Sequence, residues 1–184
     1  MQTSSSVLVF SNITDVLSPE ELQSLQFVIF AENDTLQDIV IYNIIKVKYL
    51  NVGIHIRRGD ISPSFCRGAE RYLYNKYYIN LINLIKTMNN NCVINIYSEK
   101  KSYESFEDFK LLNCNLYLDT KIDIVFSELI NSDIFIMSRS SFSYVPAIYN
   151  KNIVIYHPFW HGKLENWLDV TDENFEEQLK NSLH

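Results

Sequence analysis

Tyr49-Leu50-Asn51-Val52-Gly53-Ile54-His55-Ile56-Arg57-Arg58-Gly59-Asp60 is the stretch whose reading decides the fold. Val52, Ile54 and Ile56 alternate with Gly53, His55 and Arg57, so residues from about 50 onward read as a short buried strand. Two adjacent guanidiniums follow it directly. Arginine is costly to hold near a sheet interior unless an anion pairs with it. The planar guanidinium fork matches phosphate oxygens in bidentate geometry. Open α/β sheets bind their ligands at the carboxyl ends of the strands. A diphosphate site of the kind that holds a nucleotide sugar is therefore expected at Arg57 and Arg58.

Plainer readings compete with it. An Arg-Arg pair in a loop can be a solvated charge cluster. Arg58-Gly59-Asp60 also spells a tripeptide that adhesion receptors read, which requires an exposed loop tip. A buried ion pair between an arginine and Asp60, without any ligand, is a third alternative.

Outward from this strand, the pattern alternates between β and α. Apolar residues recur at helical spacing from Arg71 to Met88, and Asn89-Asn90-Asn91 ends that run. Cys92 to Tyr97 reads as a strand, Tyr103 to Leu111 as a short helix, Leu116 to Leu118 as a strand and Ile122 to Ile130 as a helix. A strand at Asp133 to Met137, a helix at Ser143 to Tyr149, a strand at Asn152 to Tyr156 and a helix at Asp172 to Leu183, capped by Thr171, complete the series. Strands separated by helices predict an α/β fold, a Rossmann-like parallel sheet flanked by helices. Before residue 50, Ser6 to Phe10 and Phe27 to Phe30 read as strands. Ser18-Pro19-Glu20-Glu21 reads as a capped helix start, and Thr35 to Val47 as a helix. The expected organisation is a short N-terminal segment, 1–50, and a nucleotide-sugar-binding domain, 51–184.

The second piece of chemistry is Ser138-Arg139-Ser140-Ser141, after the apolar run Ile134-Phe135-Ile136-Met137. A helix starting just beyond it offers unpaired N–H groups and a partial positive charge, which bind anions. Pro146 suits only the first helical turn, which puts the expected start near Ser143. The serines can equally be simple caps, and Arg139 a further cation or a solvent-facing side chain.

His55-Ile56-Arg57-Arg58-Gly59-Asp60 resembles the signature of the α1,2-fucosyltransferases, and related strings occur in the α1,6- and protein O-fucosyltransferases. Ser127 to Tyr144 resembles their helix, strand and serine-rich loop, and Val93 to Glu99 the strand and acidic loop before it. The resemblance covers roughly residues 50 to 160. It implies the C-terminal, GDP-fucose-binding half of a two-domain GT-B fold. It also implies transfer of fucose to a glycan or protein hydroxyl with inversion and without a metal, GDP-fucose being the donor substrate. By that resemblance Arg58 contacts the diphosphate and stabilises the leaving group, while Ser140, Ser141 and Phe142 lie in the loop that cradles the same phosphates. The resemblance also implies a carboxylate after a strand, ahead of the serine loop, that can accept from the guanine N1–H and 2-amino group; Asp119 is the first candidate and Asp123 the second. Ser98 and Glu99 would line the ribose or base, and Asp60 or Glu70 would be the general base unless Asp60 orients an arginine. His55, beside Arg57 at the strand end, is included among the donor-binding residues although its alternation suits a structural ring.

Length is the main departure from that family. A complete GT-B enzyme contains two domains of roughly 100–200 residues each, whereas this chain has 184 in all. Either a reduced enzyme or a donor-binding domain completed by a partner domain or chain is expected. The alternative is a non-catalytic module that holds a nucleotide sugar or another phosphorylated ligand.

Composition narrows the classes further. Hydrophobic residues make up 47% and charged residues 21% of the chain, as in ordinary globular domains. A net charge of −6 with no basic stripe argues against nucleic acid. No apolar run approaches the ~20 residues of a membrane span, and the start lacks a signal peptide's basic region. With Cys66, Cys92 and Cys114 widely spaced, this suggests buried free thiols and a cytoplasmic location. The glycosylation acceptors at Asn12 and Asn33 then read as chance. His157 and His161 are four apart, but Pro158 and Gly162 argue against a helix there, and no metal site is expected.

Overall fold

Leu50–Ile56 forms β1, and it is paired in parallel on both sides, with Ile54 opposite Ile96 on one neighbour and Ile136 on the other. The computed structural model describes residues 49–63, 69–102 and 104–183. The expectations for residues 1–48, which take in all but the last two residues of the segment 1–50, and for the Cys66 thiol lie outside them.

After β1 come a 3₁₀ turn at Ala69–Arg71, helix α1 (Asn75–Met88), β2 (Cys92–Ser98), α2 (Glu107–Leu111), β3 (Asn115–Leu118) and α3 (Ile122–Asn131). Then follow β4 (Ile134–Ile136), α4 (Ser141–Tyr149), β5 (Ile153–Tyr156), β6 (Leu168–Asp169) and α5 (Phe175–Ser182). The six strands make one open, all-parallel sheet in the order β3-β2-β1-β4-β5-β6. This is the Rossmann-like α/β arrangement that the alternation predicts.

Period-2 alternation splits the core into two layers. Val52, Ile54, Ile56, Ile94, Ile96, Ile134, Ile136 and Ile155 face one side with Tyr78, Ile82 and Ile85 of α1, Phe109 of α2 and Leu179 of α5. Tyr97, Phe135, Met137, Val154 and Tyr156 face the other, against Val125 and Leu129 of α3 and Ala147 of α4. Both faces of the sheet are covered, which is why the central strands read as almost continuous apolar runs. Gly53 lies where α3 ends against β1: a Cβ there would come within 3.1 Å of the Leu129 and Ser132 side chains.

Several boundaries differ from expectation for local reasons. The helix expected from Arg71 begins at Asn75, after the separate 3₁₀ turn. The helix expected from Tyr103 begins at Glu107, because Glu104 turns inward to bond Arg58. Helix α4 starts at Ser141 rather than Ser143, capped by the Ser140 hydroxyl, which accepts from the Phe142 N–H at 3.2 Å. Pro146 is thus an interior residue and denies the Phe142 carbonyl its i+4 donor. Thr171 is not a helix cap. Asp169 accepts from both its N–H and its hydroxyl, and α5 begins only at Phe175. The short edge strand β6 was not expected. Among the described residues no helix is long and apolar enough to cross a membrane. Cys92 is half-buried and Cys114 buried, both as free thiols, and burial pushes the Cys114 thiol up to about 11.

Candidate functional site at the switch point of the sheet

The strand order reverses between β1 and β4. Helix α1, which follows β1, packs on one face, and α4, which follows β4, packs on the other. The chain therefore diverges at the carboxyl ends of these two strands and leaves a crevice there, where open α/β sheets bind ligands. The two sequence motifs, Arg57-Arg58 after β1 and Ser138 to Ser141 after β4, are brought together at this point.

The two arginines go opposite ways. Arg58 is buried, 1% exposed. Its Nε donates to Glu104 Oε2 at 2.9 Å, Nη1 to the Arg57 carbonyl at 2.8 Å, and Nη2 to the Leu73 carbonyl at 3.1 Å and Asn75 Oδ1 at 2.8 Å. The Tyr72 ring covers the guanidinium at 4.1 Å. Four of the five N–H donors of an arginine are thus taken by protein acceptors. This is the ligand-free buried pair among the plainer readings, with Glu104 and not Asp60 as partner. It also removes the adhesion tripeptide, whose arginine must be accessible. Arg57 faces the crevice instead, with its side chain 23% exposed; Asp60 holds its Nη2 at 2.6 Å, and Glu99 lies at 3.9 Å. Gly59 permits this packing with φ +91°, and a Cβ there would fall on the Glu99 carboxylate.

Two adjoining compartments share Arg57 and Phe142. The larger, about 320 Å³, has a wall of His55, Tyr97, Ile122, Val125 and Phe142 and a polar side of Arg57, Ser98, Glu99, Asp119 and Thr120. Ser98 donates its hydroxyl to the Ile56 carbonyl at 2.7 Å and so braces the end of β1. Asp119 sits in the left-handed region at φ +57°, which Asp tolerates better than most residues. Its Oδ1 accepts from the Lys100 N–H at 3.0 Å, leaving Oδ2 for another donor. Asp123, the alternative carboxylate, is exposed in the first turn of α3 and lines neither compartment.

The smaller compartment, about 150 Å³, is lined by Arg57, Arg71, Arg139, Ser140, Ser141, Phe142 and Trp160. Three guanidiniums thus meet the positive end of the α4 dipole, an arrangement suited to a phosphate or another small oxyanion. Arg139 is oriented by neutral groups: Nε donates to His157 Nδ1 at 3.2 Å and Nη1 to the Glu70 carbonyl at 2.6 Å. Burial and the Arg139 charge lower the His157 pKa, which keeps that imidazole an acceptor. Ser141 Oγ pairs with His161 Nε2 at 3.1 Å, so the two histidines serve different partners.

His55, in the wall of the larger compartment, is anchored to the serine loop. Its Nδ1 meets Ser143 Oγ at 2.5 Å and Ser138 Oγ at 3.0 Å, and its ring lies 4.7 Å from that of Phe142. Burial, then the charges of Arg57 and Arg58, lower its pKa to about 3, so the ring is neutral. A neutral His55 adds no repulsion to the guanidiniums and ties the serine loop to β1.

Of the expected site residues, His55, Arg57, Ser98, Asp119, Ser140, Ser141 and Phe142 line the compartments. Arg58 lies behind them, and Asp60 stands outside the lining as the partner of Arg57. The Glu70 side chain is 67% exposed, with Oε1 3.7 Å from Arg71 Nε, and it too stands outside the lining. Sequence reasoning missed Arg71 and Trp160. Nothing local marks Arg71. The aromatic run Phe159-Trp160-His161 between Pro158 and Gly162 is a signal that could have drawn attention to Trp160. Comparison with protein-family models and with curated proteins finds no match to this chain.

Proposed function

We propose that the switch-point crevice binds a nucleoside diphosphate sugar, and that the domain is the donor-binding part of an inverting, metal-independent glycosyltransferase of fucosyltransferase type using GDP-fucose. The observation that carries this reading is the junction of the two compartments at Arg57. A carboxylate-bearing cleft of about 320 Å³ shares Arg57 and Phe142 with a smaller cavity lined by three guanidiniums. In the larger one, a purine packs against Phe142 and His55, and Asp119 accepts from the guanine N1–H and 2-amino groups. In the smaller one, Arg57 and the start of α4 hold the diphosphate and stabilise its charge as the glycosidic bond breaks. Arg57 thus takes the role that the family resemblance assigns to Arg58, and Arg58 becomes a positioning residue that ties the end of β1 to Leu73, Asn75 and Glu104.

A second reading has its own support. Among the described residues, the carboxylates lining the compartments are Glu99 and Asp119, both on the nucleoside side, and none lines the anion side. The anion side therefore offers no carboxylate base for an acceptor hydroxyl, and the imidazoles of His157 and His161 are engaged with Arg139 and Ser141, which favours a module that holds the donor without transferring it.

Thermal stabilisation by GDP, GDP-fucose, GDP-mannose and UDP-sugars, run beside transfer assays on glycan acceptors, tests both. Stabilisation by GDP species that is lost in Arg57→Ala is the expected result. Binding without turnover selects the module. No response to any nucleoside diphosphate sinks both readings.

A further inference from the structure

We propose that Arg71 recognises the terminal phosphate of the bound nucleoside diphosphate, in the compartment it forms with Arg57, Arg139 and the start of α4. The inference rests on the nucleotide reading above and adds to it a residue that decides between diphosphate and monophosphate.

Arg71 ends the 3₁₀ turn Ala69–Arg71, outside both motifs. Two contacts carry it to the cavity. The Arg139 Nη1–Glu70 carbonyl bond of 2.6 Å pins the turn to the loop that follows β4. The Arg71 guanidinium lies over the Trp160 ring, 4.6 Å from its centroid. Cation–π stacking fixes the plane of a guanidinium while leaving its N–H edge free to donate. Among the described residues its carboxylate contact is with Glu70 at 3.7 Å, a long contact to an exposed side chain. Arg57 differs, being held closely by Asp60 at 2.6 Å.

Size and position set the division of labour. Arg57 borders both compartments, so it meets the phosphate nearest the nucleoside. Arg71 and Trp160 border only the smaller one, at about 150 Å³ too small for a nucleoside and suited to a phosphate group. A monophosphate reaches Arg57; only a second phosphate reaches Arg71.

The test titrates the full chain with GDP, GMP and inorganic pyrophosphate by calorimetry at constant ionic strength, in wild type, Arg71→Gln and Arg71→Lys. Wild type is expected to bind GDP more tightly than GMP. Arg71→Gln is expected to weaken GDP by about ten- to a hundredfold, the worth of a charge-assisted hydrogen bond, and to leave GMP within about twofold on the same grounds. Arg71→Lys, which keeps the charge but loses the stacked fork, should fall between. Equal losses for GDP and GMP, or none for either, would overturn the assignment while leaving the nucleotide reading intact. Pyrophosphate binding that depends on Arg71 without binding of either nucleotide would keep the anion compartment and remove the nucleotide reading. No binding of any of the three removes both.

Discussion

Arg57 and Arg58 are adjacent, chemically identical and opposite in role, and the difference is decided by what each side chain meets. Removing one partner of a buried ion pair leaves an uncompensated charge and costs about 3–5 kcal/mol. Arg58→Ala should therefore lower stability by about that amount in chemical denaturation, because Glu104 is left buried without its partner. Arg57→Ala, at a partly exposed position, should change stability by less than about 1 kcal/mol while removing nucleotide binding. Similar stability losses in the two variants would refute this division. His55 gives a pH signature. Folded, it stays neutral until the pH falls to about 3, whereas the unfolded ring protonates near the ordinary 6.5. Between those values the unfolded chain holds the additional proton, so stability falls as pH drops through the window. The lowered His157 acts in the same direction. His55→Asn should flatten the dependence of denaturation midpoint on pH in that range, and an unchanged slope would rule His55 out as its source. At this scale the sequence was legible in kind and not in person. The Arg-Arg motif marked a cationic strand end with both guanidiniums expected on an anion, and Arg58 is instead taken by protein acceptors. The alternation puts Arg57 on the face of His55, and both line the crevice, but with both faces of the sheet covered it does not say which guanidinium is buried.

At the scale of elements, β1, α3 and α4 depend on close approach more than on intrinsic propensity. Gly53 lets the end of α3 pass over β1, so Gly53→Ala should cost about 1–3 kcal/mol through forced displacement of Leu129 and Ser132. Gly162→Ala is the control, because a Cβ there meets nothing within 4 Å, and it should be neutral or slightly stabilising. Thermal melts of the two variants check the contrast, and equal effects would mean that the packing at Gly53 yields. Helix existence was legible from apolar spacing, as in Leu81 and Ile85 of α1, although the fully buried face takes Tyr78 and Ile82 where the spacing pointed to Tyr77 and Leu84. Helix starts were less so. The Ser140 hydroxyl outweighed the Pro146 constraint at α4, and the Arg58–Glu104 pair delayed α2. Both are decided by hydrogen bonds that periodicity does not encode.

For the whole molecule, the parallel sheet covered on both faces puts its most protected backbone in β1, which pairs with β2 on one side and β4 on the other. Amides of Val52 to Ile56 should exchange only through global opening, while those of the two-residue edge strand β6 exchange faster through local opening. Residue-resolved hydrogen exchange checks this, and comparable rates in β1 and β6 would contradict the layered core. Asn side chains add a second registration, since Asn95 donates to Asn51 and Asn115 donates to Asn95, each at 2.9 Å. The sequence by itself determined the alternation of strands and helices, the apolar faces and the strand-end location of the cationic and serine motifs. All of these follow from local periodicity and from the chemistry of neighbouring residues. Only the tertiary structure decided that β1 and β4 are neighbours at the reversal of strand order, that Arg58 is sealed behind the site, and that Arg71 and Trp160 help to form it. Those outcomes depend on contacts between segments far apart in the chain, where burial and hydrogen-bond satisfaction select one arrangement that no local pattern specifies.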